Sequence, residues 1–536
     1  MSLISAVSTV SATSATSAPR GRPPRTPAAG PAIEHGTPVR ADSVRVRVTA
    51  TDLPPGSPAL VYEALLRDRA QDDVYLFESL DGPAQDRHSA VIGWDRLAEL
   101  RLYADRVELT APDALGAALA DVVSTVAGET TAARADLRVW AAQSSEDVWR
   151  LLRAVQAAFD VTTDIPKSTF AFGFLTTLAY EAGWDMERLP QSQKEPDRPR
   201  CTLTLFRNTV WYDLHTGGVR LLRASGDRLP PGDDRLPDIL TSGAAPAPTD
   251  SAVPDAPAPR SVRDNLDEET FTERVGRCLR HIGVGDSYQI QIGHRIDVQT
   301  DLTPYQVYQR LRHRNPSPYM YLVPWAGHTV IGASPELFIR IEGDRVSMRP
   351  IAGTTPRAAD RAEDARRVAE LRASAKEQAE HVMLVDLCRN DIGRVCLPGT
   401  LSVDVMMEVE PFAYVHHLVS TVSGRIDDTT DIWTAICATF PAGTMTGAPK
   451  VRAMEIINDI EDDPRGIYAG ALGLVDVRGF AMLTLCIRTA VHDGERYMTQ
   501  ASAGVVADSV PAAEWRETLA KLSPTYWALT GEELLP

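Results

Sequence analysis

The chain has 536 residues, a formal net charge of −17 and 44% hydrophobic residues. That is the composition of a globular protein too long for one ordinary core, and no apolar run reaches the length of a membrane span. The acidic balance gives no support to nucleic-acid binding, and six scattered cysteines without a C-x-x-C fit a reducing, cytoplasmic compartment and argue against a disulfide or zinc framework.

Residues 1–44 are rich in Ser, Ala, Thr, Pro and Arg, and the first acidic residue is Glu34. Such a segment cannot build a core and reads as a disordered tail. Its composition also fits an organellar transit peptide, although no clear amphipathic helix accompanies it. Residues 45–223 mix β-like runs (VRVRVTA, HSAVIGW, CTLTLF) with helical ones (LVYEALLRDRA, SEDVWRLLRAVQAAF) and read as an N-terminal domain. Residues 224–262 are rich in Pro, Ala and Asp and read as a linker or surface loop. A second globular region spans residues 263–525, opening on the amphipathic run DEETFTERVGRCLRHIGVG, and residues 526–536 read as a C-terminal tail. Strands and helices do not alternate regularly enough for a Rossmann fold or a barrel, so the fold class is α+β.

Near the C-terminus, Glu514 and Glu517 lie three residues apart in a run without Gly or Pro from Ala512 to Leu522. On a helix this spacing puts both carboxylates on one face. Glu377 and Glu380 repeat the pattern in AKEQAEHVMLVDL. Two such helices can converge on a hard divalent cation such as Mg2+, which prefers oxygen ligands. On spacing alone, two solvated acidic faces explain the pattern better.

The company of these helices changes that balance. The chain reads VIGASPELFIR, MRPIAGTTPR, KEQAEHVMLVDLCRNDIGRV, YVHHLVSTVSG, FPAGTMTGAPKVRAMEII, YAGALG, CIRTAV and QASAGVVADS, in that order. This succession resembles the chorismate-utilising enzymes, and among them anthranilate synthase component I. The resemblance covers most of residues 263–525, with a weaker match at VYLFESLDG and SAVIGW. It implies a large antiparallel β-sheet sandwich surrounded by helices, with chorismate as substrate and Mg2+ as cofactor.

The resemblance also assigns roles. Glu380 and Glu517 would be the nearest metal ligands, with Glu377 and Glu514 acting directly or through water. Arg488 offers a planar fork for a carboxylate, and Lys521, one turn after Glu517, adds positive charge to the same face. Tyr468, Thr354, Thr444, Ala503, Gly504 and Gln289 would complete the substrate pocket. Thr444 sits in a Gly-rich turn before a helix, whose N-terminus favours negative charge. Glu336, in GASPE, would be the general acid that protonates the departing C4 hydroxyl. His417 would serve the later elimination of pyruvate. His416 beside it is read as structural, because neighbouring strand residues face opposite ways.

Two positions separate members of the group. Relatives that add water to the ring use a lysine where this chain has Gln289, so ammonia is the expected nucleophile. Others attack the ring with the lysine of PIKGT, and here Ala352 cannot. Ammonia would add at C2, and loss of pyruvate would give anthranilate. The alternative is an enzyme that stops at 2-amino-2-deoxyisochorismate. The chain departs from the family pattern at Tyr414, Thr355, Gly293, His294 and Ser502, the last replacing a glycine of QAGAG. It has no G-x-C-x-G block, so a separate glutamine amidotransferase subunit is expected to supply the ammonia. LFES (residues 76–79) and NPSPYM (residues 315–320) match segments that form a tryptophan site in the family, with Ser79, Pro318, Tyr319 and Met320 as contacts. L-tryptophan is therefore an expected inhibitor. The two prolines of NPSPYM would stiffen that loop in any case.

Overall fold

Alternation writes the first strand: Val44, Val46 and Val48 are buried and Arg45 and Arg47 exposed along Val44–Leu53. The same logic at helical period forms Glu268–Gly283. There Phe271, Val275 and Cys278 face inward, and Asp267 caps the N-terminus by accepting from the Thr270 N–H at 2.8 Å. The protein is described by a computed structural model over residues 43–141, 143–190, 194, 197–232, 240 and 253–535. Residues 1–42, which make up nearly all of the expected tail, and about half of the expected linker (233–239 and 241–252) lie outside these described residues.

The described strands form one hydrogen-bonded network of 24, flanked by helices. The pairing is antiparallel except where Val44–Leu53 runs beside Phe159–Thr162. This is the α+β architecture expected.

The expected N-terminal and C-terminal domains interlock. Val74–Glu78 pairs with Tyr319–Trp325, and Gly173–Leu178 pairs with Ala471–Asp476. Buried ties cross the same divide: the Asp476 carboxylate accepts from the Ala171 and Phe172 amides at 2.6 and 3.1 Å. The largest apolar core draws on both segments, with Trp140 and Phe174 from one and Trp433 and Phe338 from the other.

The C-terminal tail starts later than expected. One helix runs Pro511–Thr530 and passes through Pro524, burying Tyr526, Ala528 and Leu529. Arg310 closes its end, donating to the carbonyls of Ala528 at 2.8 Å and Trp527 at 3.0 Å.

Candidate active site

Strand ends build one wall of the site. Glu336 follows the strand His328–Ser334, and its carbonyl accepts from Thr484 Oγ1 at 2.8 Å and the Leu485 amide at 3.1 Å. With its backbone fixed, the side chain is buried. Burial pushes its pKa up to about 8, and the Thr444 hydroxyl and the Lys521 and Arg488 charges keep it from rising further. Glu336 is therefore a carboxylic acid at neutral pH.

His417 lies on the strand Val415–Arg425, which pairs with Ile351–Pro356. Its Nδ1 stands 3.1 Å from the Gly353 carbonyl and 3.0 Å from Thr354 Oγ1. Burial draws its pKa down to about 4, against the pull of Gly353 and with help from Arg488, His416 and Lys521. The imidazole is neutral, and donation from Nδ1 to Gly353 leaves the lone pair on Nε2. His416 turns the other way and meets Asp364 at 3.0 Å.

Arg488 and Lys521 bear on both groups, which places all four around one volume. Arg488 sits at φ 52°, a left-handed conformation costly for a side chain of this size. Burial lowers its pKa, and Tyr468, Glu517 and Glu336 oppose that shift. Among the described residues it has no ion pair.

The strand Tyr497–Val505 forms the back of the pocket against Gln289–Gln299. Tyr468 donates its hydroxyl proton to Ser502 Oγ at 2.8 Å, and Ser502 Oγ donates to Gln291 Oε1 at 3.0 Å. Lys521 Nζ reaches the Ser502 carbonyl at 2.8 Å and Glu517 at 2.6 Å. A Cβ at Gly504 would lie 2.5 Å from Gln289 Nε2, so glycine lets the Gln289 and Gln291 amides lie close over this strand. Gln289 Oε1 is buried without a partner among the described residues. Ala503 is fully buried, and strand alternation turns its methyl away from the face of Ser502 and Gly504.

Thr444 lies on the short helical turn Gly443–Thr446, and the helix expected after it runs Lys450–Ile460, so Thr444 offers its hydroxyl from the turn that precedes that helix. Gln291 escaped notice, although its spacing of two from Gln289 puts both amides on one face of a strand.

Two helices supply the opposite wall. Glu377 and Glu380 lie on Ala375–Gly393, and Glu514 and Glu517 on Pro511–Thr530. Burial raises the pKa of Glu380, and Glu377 and Glu517 raise it further. Burial also raises that of Glu514, with Glu517 adding to it and a Ser509 hydrogen bond opposing it, and Glu514 Oε2 has no partner among the described residues. The acids thus repel one another across the gap between the helices. Lys376 sits 3.6 Å from Glu380 and Lys521 2.6 Å from Glu517. The donors have the hard-oxygen chemistry that a divalent cation needs. Among the described residues no three acids, histidines or cysteines are close enough to form a finished coordination set.

LFES and NPSPYM do meet, with Met320 opposite Glu78 and Ser79 Oγ donating to the Pro318 carbonyl at 2.5 Å. The cavity between them, lined by Ser79, Pro318, Tyr319 and Met320, offers only about 20 Å³.

A buried acid, a neutral imidazole, an arginine without an ion pair among the described residues, and two acidic helices suit an anionic substrate that loses a hydroxyl group. Comparison with known proteins agrees. A family model described as chorismate binding enzyme matches residues 110–526. The chain belongs to that family. It is 46% identical over 497 residues to 2-amino-4-deoxychorismate synthase of Streptomyces globisporus, covering 92% of this chain and 98% of the relative. It is 45% identical over 365 residues to anthranilate synthase component 1 of Streptomyces coelicolor, covering 66% of this chain and 71% of the relative. The crystal structure of anthranilate synthase component I from Streptococcus pneumoniae superposes with a TM-score of 0.62 at 26% identity, covering 82% of this chain and 92% of that one. No described helix is long and apolar enough to cross a membrane.

Proposed function

We propose that the protein aminates chorismate at C2 with ammonia and then eliminates pyruvate to give anthranilate. The observation that carries this reading is the opposed tuning of Glu336 and His417, with pKa values near 8 and 4, both within the field of an Arg488 that has no ion pair among the described residues. Environments that push two titratable groups apart define an acid and a base.

In the first step Glu336 gives its proton to the C4 hydroxyl, which leaves as water while ammonia bonds to C2 and the ring double bonds shift. Gln289 has no basic amine with which to activate water, so ammonia is the nucleophile, and the partnerless Oε1 is a ready acceptor for one of its hydrogens. In the second step His417 Nε2 takes the proton from C2, the C3–O bond breaks, and the departing enolpyruvate gains a proton at its methylene carbon to become pyruvate. Arg488 holds the enolpyruvyl carboxylate. Glu377, Glu380, Glu514 and Glu517 would hold Mg2+, which when bound supplies positive charge to the ring carboxylate. Ammonia comes from a separate glutamine amidotransferase subunit.

A second end point has its own support. The name 2-amino-4-deoxychorismate describes a ring with an amino group at C2 and no hydroxyl at C4, which is the product of the first step alone. The relative so named matches this chain over nearly its whole length.

The test is incubation with chorismate, Mg2+ and ammonium, with chromatography of the products. Consumption of chorismate that requires ammonium supports amination. Efficient formation of isochorismate without ammonium would overturn it.

A further inference from the structure

We propose that Ser502 sets how much of the amino intermediate goes on to anthranilate; this rests on the amination reading above. Ser502 is buried on the strand Tyr497–Val505, directly opposite Gly293 on Gln289–Gln299. A Cβ at position 293 would lie 2.2 Å from the Ala501 carbonyl oxygen. The bare glycine thus allows this strand pair to close around the serine. Both positions depart from the family pattern, and the structure makes them cross-strand partners.

The serine hydroxyl closes a one-way chain. Tyr468 donates to Ser502 Oγ at 2.8 Å, and Ser502 donates onward to Gln291 Oε1 at 3.0 Å. A phenol has one proton, and here it is spent inside the wall. Tyr468 therefore turns only lone pairs toward the pocket. Arg488 faces the same phenol and has no ion pair among the described residues. A carboxylate held by Arg488 gains the guanidinium donors and no donor from Tyr468. The Lys521 ammonium is engaged as well, by the Ser502 carbonyl at 2.8 Å and by Glu517 at 2.6 Å.

The two steps differ in their need for that missing donor. Amination changes C2 and C4, and its proton comes from Glu336. Elimination breaks the C3–O bond and builds negative charge on the enolpyruvyl group beside Arg488 and Tyr468. A hydrogen bond to a charged group, made as that charge develops, speeds the step roughly 10- to 100-fold. By withholding the Tyr468 proton, Ser502 slows elimination relative to release. It is a positioning residue that acts through Tyr468.

The experiment supplies the full-length protein with chorismate, Mg2+ and ammonium and measures anthranilate and amino intermediate per chorismate consumed. Ser502→Gly frees the Tyr468 proton, and the ratio of anthranilate to intermediate is expected to rise about tenfold. Gln291→Leu gives a second route with the serine retained. Ser502 can then donate back to Tyr468, and the ratio is expected to move the same way. Adding Tyr468→Phe to Ser502→Gly is expected to cancel the gain, which a merely structural serine would not predict. An unchanged ratio in both single variants, with chorismate still consumed, overturns the proposal for Ser502 and leaves the amination reading standing. If the unmodified protein consumes no chorismate, the amination reading fails and this proposal falls with it.

Discussion

The two walls of the site are built differently. The strand wall is finished before any ligand arrives: Glu336 is fixed by its carbonyl contacts, His417 by Gly353, and Tyr468 by Ser502. The helical wall is not. Its acids repel one another, and lysines occupy Glu380 and Glu517. The groups proposed to transfer protons are held rigidly in tuned environments. Groups whose task is to gather charge wait for it, with internal lysines limiting the repulsion meanwhile. This contrast explains why the chemistry is legible in single residues on one wall and only in a cluster on the other.

The strand wall breaks most easily at Glu336. Glu336→Gln keeps the shape and removes the proton, so turnover is expected to fall about 10²- to 10⁴-fold. On the proposed mechanism the unmodified protein needs this side chain protonated. Its pKa near 8 keeps it so at neutral pH, and the active fraction is lost as pH rises through about 8. Measured at constant free ammonia, chorismate consumption should therefore fall on the alkaline side. A flat profile through pH 9, or an active Gln variant, would remove Glu336 from the role of acid. The helical wall predicts a different dependence. Glu380→Gln or Glu517→Gln should lower turnover about 10²-fold at limiting Mg2+, with part of the loss recovered at high Mg2+. Near-normal activity of both variants at limiting Mg2+ would sink the metal assignment.

Much of this was readable in sequence because the relevant motifs are local. GASPE, CIRTA and the two E-x-x-E runs each deliver their residues within one element. What escaped depended on contacts between elements. Pro524 argues against helix by local rule, yet the helix continues because Tyr526, Ala528 and Leu529 gain a buried face. The boundary at residues 224–262 suggested two bodies, but the pairing of Gly173–Leu178 with Ala471–Asp476 joins them over a separation no periodicity reveals. The departure at Ser502 was visible. Its partners Tyr468 and Gln291 were not, because hydrogen bonding between strands depends on register.

A smaller effect joins the two walls. His294 lies between Asp264 at 2.8 Å and Thr518 at 2.9 Å and packs tilted against Trp515, pinning the acid-bearing helix to the strand Gln289–Gln299. His294→Ala leaves Thr518 short of one partner in a buried place, and about 1–3 kcal/mol of stability should be lost. Because Thr518 adjoins Glu517, the Mg2+ concentration for half-maximal activity should rise while Glu336 keeps its pH profile. Denaturant melts and a Mg2+ titration check both parts, and loss of the alkaline limb would show that the walls are not separable.

The smallest expected effect concerns tryptophan. The two matching segments meet as strand partners, but the contact is closed: Ser79 donates to the Pro318 carbonyl at 2.5 Å, and the cavity of about 20 Å³ has room for a single water. Admitting an indole ring would require parting Glu78 from Met320. Glu78 is tied down by the Tyr308 hydroxyl at 2.6 Å and by Arg312 at 2.9 Å. A ligand shifts an equilibrium only by its preference for one state, and here the competent state must first be opened against these bonds. Millimolar tryptophan should leave chorismate turnover unchanged and give no binding heat in calorimetry. Inhibition that Ser79→Phe abolishes would show that the pocket opens, and that a third region governs the two walls.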